Sequence, residues 1–370
     1  MGLPSINIMF RHAGQTAVQR GERGIVALIL EDKVPDINPI VMSGVDDIPN
    51  ILTEENKEQI SLAFVGYINP PKKVIAYIVA KPVAVEGGAA PAVDYAEAQH
   101  YLETIKWDYI AVPEIDDSAV TNFASWIKGL RSNKGKNVKA VLPNCAGDSV
   151  GIINYCNKSN KQTGKEYTAK EYCSRIAGLL AGTPLNSSAT YAALPELIDC
   201  DHLTKDEADT AVDAGKLILI NDGEKVKVAR AVNSLATLTS DEDESYKKIK
   251  VIDIMDQENQ DIKKVAEDSY IGKVSNDYDH KILLISAIGI YFEQLESQGL
   301  LDKGKSSINI DIQSQMEYLK SVNYKMSDGR TVDQMTEQEI KEANTGDKVF
   351  ISGNQKIVDV MEDIQFAIAV

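Results

Sequence analysis

Apolar and polar positions alternate at both ends of the chain. Near the start, "INIMF" places Ile6, Ile8 and Phe10 on one face of an extended segment. At the other end, "DIQFAIAV" places Ile364, Phe366, Ile368 and Val370 on one face. Each segment is joined to the rest through glycines that read as hinges: Gly14, Gly21 and Gly24 at one end, Gly346 and Gly353 at the other. A lone end strand leaves backbone groups and an apolar face unpaired, so it needs a sheet edge, in its own chain or in another copy.

Between the ends the period changes repeatedly. "GIVALIL", from Gly24 to Leu30, is a continuous apolar run that predicts a core strand. "ILTEENKEQISLAF" predicts a helix, "KKVIAYIVA" a strand, and "KPVAVEGGAAPAV" a long loop. A βα rhythm follows. "DYAEAQHYLETI" is helical and "WDYIAVP" is a short buried strand. "AVTNFASWIKGLRSN" is a helix with Val120, Phe123, Ile127 and Leu130 on one face. "NVKAVLPN" and "GIINYCN" are strands, and "TAKEYCSRIAGLLAG" is a helix with Tyr172, Ile176, Leu179 and Leu180 as its stripe. This rhythm predicts a largely parallel sheet with helices on its faces.

Further on, "LILI" and "KVKVARAV" flank Asp222-Gly223, a strong hairpin signal. "KKIKVIDIMD" then predicts a strand. "NQDIKKVAEDSYI" and "HKILLISAIGIYFEQLESQGLL" predict helices. The second is apolar enough to predict thorough burial, with Leu283, Leu284, Ala287, Ile288 and Tyr291 on one face. The end of the chain, "GDKVFISGNQKIVDVMEDIQFAIAV", reads as β-rich.

The chain's 370 residues suffice for roughly two or three domains. A net charge of -16 argues against binding nucleic acid through the overall field. The start predicts no signal peptide, and no apolar run predicts a membrane span. Cys145, Cys156, Cys173 and Cys200 have neither zinc-site nor C-x-x-C spacing, so they predict buried thiols in a reducing compartment. "GDSVG", Gly147 to Gly151, matches the nucleophile elbow of serine hydrolases and makes Ser149 a candidate nucleophile, with His202 or His280 as its base. The elbow needs a helix after it, whereas "IINYCN" has no helical period. "DCDH", Asp199 to His202, groups possible metal ligands, but adjacent residues cannot all converge on one ion. Thr204 and Glu207 form a capping box that makes "DCDH" a polar turn before a helix. "DEDES", Asp241 to Ser245, reads as a solvated acidic loop, and no phosphate-binding P-loop pattern occurs. The expectation is a protein without catalytic, cofactor or metal sites; the alternative is a serine hydrolase using Ser149.

Three stretches, "GERGIVALIL", "DAGKLILINDGEKVKVARAVNSLATLT" and "YKKIKVIDIMD", resemble the sheath protein of contractile phage tails, in the short form found in defective prophages and R-type bacteriocins. The resemblance covers nearly the whole chain. It implies an α/β fold: a subtilisin-like α/β region without subtilisin's activity, a smaller β-containing N-terminal domain, a C-terminal α+β domain and extended terminal β-arms. The corresponding ranges are an N-terminal arm over 1–23, a small β-containing domain over 24–90, the sheath α/β domain over 91–240, a tube-facing domain over 241–350 and a C-terminal arm over 351–370. The family's arms add strands to sheets of neighbouring subunits. This assigns Ile6, Ile8, Phe10, Ile364, Phe366, Ile368 and Val370 to contacts between subunits. The implied partners are other copies in hexameric rings, the tail tube protein, and baseplate and tail-terminator proteins, with no nucleic acid and no membrane insertion. The implied location is the host bacterial cytoplasm during assembly, then the tail of a released phage or phage-tail-like particle.

Overall fold

In the computed structural model, which describes residue 18, residues 20–82 and residues 91–368, the strand β1 (Ile25–Asp32) has all eight residues buried. Such a run without alternation marks a strand covered on both faces. The chain continues through β2 (Ile40–Met42), α1 (Glu54–Val65), β3 (Lys73–Ala80), α2 (Ala96–Thr104), β4 (Tyr109–Ala111), α3 (Asp117–Lys134), β5 (Lys139–Pro143) and β6 (Ile152–Tyr155). Next come β7 (Asn160–Gln162), β8 (Lys165–Tyr167), α4 (Ala169–Ala181), β9 (Leu197–Cys200), α5 (Lys205–Asp213), β10 (Lys216–Leu217), β11 (Leu219–Asn221), β12 (Val226–Val228) and α6 (Ile249–Val265). After these lie α7 (Tyr278–Ser297), β13 (Ser307–Ile310), α8 (Ile312–Ser321), α9 (Glu337–Glu342) and β14 (Ile351–Asn354). The expected N-terminal strand, with Ile6, Ile8, Phe10 and Gly14, and the last position, Val370, lie outside the described residues.

The chain divides into two compact units. One comprises residues 22–257 and the tail from Asp359; the other comprises residues 258–358 and the described residues before Glu22. In the first, a seven-stranded sheet has the order β10-β6-β5-β4-β1-β3-β2. All neighbours are parallel except β2 and β3. Val26, Leu28 and Leu30 enter a core shared with α1 and α4. Ile25, Ala27 and Ile29 enter another, shared with α2 and α3. The predicted stripes of α3 and α4 are buried. The range boundary expected between residues 90 and 91 falls inside this sheet, because β1 pairs with both β3 and β4.

The Asp222-Gly223 hairpin is present as β11 and β12, paired from Leu219–Val228 to Asn221–Val226. "LILI" divides: Leu217 ends β10 on the large sheet, and Leu219 opens the hairpin. A three-stranded sheet β8-β7-β9 lies beside it in the chain.

"KKIKVIDIMD" is not a strand; from Ile249 it is the first part of α6. Within the helix, every residue from Ile249 to Asp256 except Met255 is buried, charged ones included. A helix covered on all sides shows no apolar stripe, so its period cannot be told from a buried strand. The apolar helix α7 departs from expectation in the opposite sense. Ala287, Ile288 and Tyr291 are buried, but Leu283 is 37% exposed and Leu284 only half-buried. Its buried stripe runs instead through Ala287, Ile288, Tyr291, Phe292 and Leu295. In the same unit Leu319, Val332, Ile340 and Ala343 form a small core, and β13 pairs antiparallel with β14.

Candidate functional site

The loop Gly147–Gly151 joins β5 to β6, and a strand rather than a helix follows it. Asp148 adopts φ 45°, and its Oδ1 accepts the N–H groups of Ala236 and Thr237 at 2.7 and 2.9 Å. Those bonds hold its carboxyl below the usual range. The Ser234 hydroxyl donates to the Ser149 carbonyl at 3.1 Å and accepts the Ser149 N–H at 3.3 Å. Ser149 Oγ accepts the Gly151 N–H at 3.2 Å. The polar stretch "NSLATLT" is therefore stapled to this loop as architecture. His202 faces Asp199 at 3.1 Å, and His280 bonds Asp277 at 2.7 Å at the start of α7. The strand–turn–helix setting of a nucleophile elbow is absent, and Ser149 has the partners of a turn residue.

"DCDH" is only half the expected turn: Asp199 and Cys200 end β9, paired with β7, and Asp201 and His202 lead from it toward α5. Asp199 binds Lys161, Asn221 and His202, while Asp201 accepts the N–H groups of Lys158 and Ser159. The Thr204–Glu207 capping box opens α5. Among the described residues no group of three His, Cys, Asp or Glu side chains is placed to hold a metal. The four cysteines are free. Burial pushes the Cys156 thiol up to about 11 and the Cys200 thiol up to about 12, so both stay protonated near neutrality.

The sequence does not announce a buried ionic network on α6. Asp253 pairs with Arg23, lies 3.0 Å from Lys139 and accepts the Tyr109 hydroxyl at 2.6 Å. Asp256 pairs with Lys139 and accepts both terminal nitrogens of Arg131 at 2.8 and 2.9 Å. Burial alone would raise the Asp253 carboxyl. The charges of Arg23 and Lys139, with the Tyr109 hydroxyl, overcome it and hold it low. Arg23 also donates to the Thr183 carbonyl at 2.7 Å. The one available signal was the i, i+3 aspartate pair inside an apolar run, which suits a buried helix holding cations.

The chain ends carry the other candidate residues. The Gly21 N–H donates to Asp261 at 2.8 Å, and Arg20 donates to Gln298 at 2.8 Å. Gly24 sits at φ 95° directly before β1, and its N–H and that of Ile25 donate to the Asp108 carboxylate at 2.7 and 2.9 Å. Gly346, at φ 63°, turns the chain after α9. Gly353 lies within β14 opposite Ile308, where a Cβ would come within 2.6 Å of the Ser307 carbonyl oxygen. It is a close-approach position in a ladder.

Beyond Ile357 the described tail forms no strand. Ile364, Phe366 and Ile368 are 63, 84 and 84% exposed. An exposed apolar stripe of this kind on an extended segment suits a sheet edge elsewhere. In the unit formed by residues 258–358, β13 and β14 make a two-stranded sheet. Neither outer edge has a strand partner among the described residues, and Ser352, Gly353 and Asn354 are exposed.

Residues 88–234 match the phage tail sheath protein central domain, and residues 241–370 match the phage tail sheath C-terminal domain. The tail sheath protein of Clostridium phage phiCD119 is 37% identical over 367 residues, 99% of each chain. A phage-like element PBSX protein of Bacillus subtilis is 31% identical over 46% of this chain and 37% of its own length. The crystal structure of a sheath tail protein from Desulfitobacterium hafniense superposes with a TM-score of 0.69 at 20% identity, covering 83% of this chain and 94% of that one. The contracted sheath complex of an extracellular contractile injection system superposes at 0.68 and 12% identity, covering 100 and 98%. The chain belongs to the phage tail sheath protein family, and its place is the tail of a phage or a phage-tail-like particle.

Proposed function

We propose that this chain is a structural subunit that polymerises as hexameric rings stacked around a tail tube, and that the polymer shortens to drive the tube through a target envelope. The observation that carries this reading is the tail from Ile364, whose apolar face is bare in the subunit. The open edges of the β13–β14 sheet are its acceptors in another copy. A strand added there gains ladder hydrogen bonds worth about 1 kcal/mol each and buries the three apolar side chains. The N-terminal segment containing Ile6, Ile8 and Phe10 acts in the same way, and Gly21 and Gly24 turn the chain into the body.

In this reading the subunit performs no chemistry. The energy of contraction is stored in contacts between copies that have two packings separated by a barrier. The partners are other copies of the chain, the tail tube through the unit formed by residues 258–358, and the baseplate and terminator at the two ends. Assembly takes place in the host cytoplasm. Electron microscopy of the purified chain, alone and with tube protein, tests the reading: striated tubes are expected, and a protein that stays monomeric under both conditions would overturn it.

A further inference from the structure

Five residues, Asp359–Asp363, lead into the bare stripe of the C-terminal tail, and three of them are carboxylates. All three are gripped by the unit that holds the large sheet. Lys248, directly ahead of α6, pairs with Asp359 and lies 3.0 Å from Glu362 Oε2. Arg230, just after β12, donates from one guanidinium nitrogen to both oxygens of Asp363, at 2.8 and 2.9 Å. Its Nε stands 3.8 Å from Glu362. Glu362 Oε1 accepts the Thr190 hydroxyl at 2.6 Å, and that hydroxyl accepts the Ala231 N–H at 3.0 Å. The contrast along the tail is sharp: the Glu362 side chain is 6% exposed, whereas Met361 beside it is 91% exposed.

Burying a carboxylate is costly unless cations and donors surround it. A tail without ladder hydrogen bonds has little else to offset the entropy of being ordered. The clamp therefore decides where the tail leaves the body. Beyond it, residues 364–370 reach about 23 Å when fully extended, so the point of departure limits which acceptor edges can be met.

We propose that Arg230, Lys248 and Thr190 are positioning residues for the C-terminal arm. By holding Asp359, Glu362 and Asp363, they fix the point from which Ile364, Phe366 and Ile368 are offered to a second copy of this chain. The proposal rests on the reading of the tail as a connector between subunits. Its test is assembly of the full chain, followed by sedimentation and electron microscopy. The double variant Arg230→Glu, Lys248→Glu should stay folded, and its critical concentration for tube formation should rise at least about tenfold. Should that variant fail to fold, the tail variant Asp359→Asn, Glu362→Gln, Asp363→Asn removes the charges of the same contacts from the tail's side. Charge reversal of one pair, Arg230→Asp with Asp363→Arg, should restore assembly lost in Arg230→Asp alone, which a merely structural Arg230 would not allow. Unchanged assembly in the tail variant, together with loss of tubes on deleting residues 364–370, overturns the clamp and leaves the connector standing. Tubes formed normally by the deletion overturn both.

Discussion

Gly178 illustrates how single atoms set the fold. It lies in α4 where that helix crosses α1, and a Cβ there would come within 1.9 Å of the Ala63 carbonyl oxygen. Alanine would favour an isolated helix by about 1 kcal/mol. Backbone against backbone has no rotamer to yield, however, and overpacking costs about 1–3 kcal/mol or more. Gly178→Ala should therefore lower the melting temperature by several degrees, and an unchanged melting curve would mean the two helices part freely. Glu258 makes a second case. Burial, with Asp261 nearby, pushes its carboxyl up to about 7 from 4.5, and a hydrogen bond from Gln355 only partly opposes this. A carboxyl raised in the folded state binds more protons there than when unfolded, so its contribution is full below pH 4.5 and is lost as pH rises to about 7. Glu258→Gln should remove that slope and stabilise the protein above pH 7 by an amount on the order of 3 kcal/mol. Melting curves at pH 5 and pH 8 check this; an equal effect at both would contradict it. Ser149, held as a turn residue, should tolerate alanine: Ser149→Ala is expected to melt and assemble normally, and loss of contraction alone would point to a role beyond the turn.

At the scale of elements, patterns tied to one face were legible and those buried all round were not. The stripes Val120–Phe123–Ile127–Leu130 and Tyr172–Ile176–Leu179–Leu180, the Asp222-Gly223 hairpin and the Thr204–Glu207 cap could be read because each depends on neighbours in the chain. The first turns of α6 could not, since Asp253 and Asp256 are matched by Arg23, Arg131 and Lys139, which only the fold brings together. The face of α7 was read too widely, because a strongly apolar composition does not tell which stripe is covered. A paired test follows. Ile288→Asp buries a carboxylate within the apolar stripe of α7 and should cost several kcal/mol or prevent soluble expression. Leu283→Asp, at a 37% exposed site, should express and melt within about 1 kcal/mol of the parent. Equal damage from both would mean that the outer face of α7 is also covered in the isolated subunit. Of the arm residues, the alternation of Ile364, Phe366 and Ile368 was plain in the sequence. The clamp behind them was not, because Arg230 and Lys248 lie more than a hundred positions from the carboxylates they hold.

For the whole molecule, the compact units account for stability, and the proposed function places the joining of copies in the ends. A single arm of a few residues gains hydrogen bonds and apolar burial but loses about 1–2 kcal/mol of backbone entropy per residue ordered. One arm should therefore not hold a stable dimer, while in the proposed polymer two arms per subunit, closed into rings and stacked, would hold the copies cooperatively. Tethers of this kind also keep copies joined while their bodies rotate, which a contracting polymer requires. The most direct measurement removes residues 364–370 and leaves the clamped stretch Asp359–Asp363 in place. Far-ultraviolet circular dichroism and melting should match the full chain, since Ile364, Phe366 and Ile368 touch little of their own subunit. Electron micrographs should then show tubes from the full chain and none from the shortened one; tubes from the shortened chain would contradict the account.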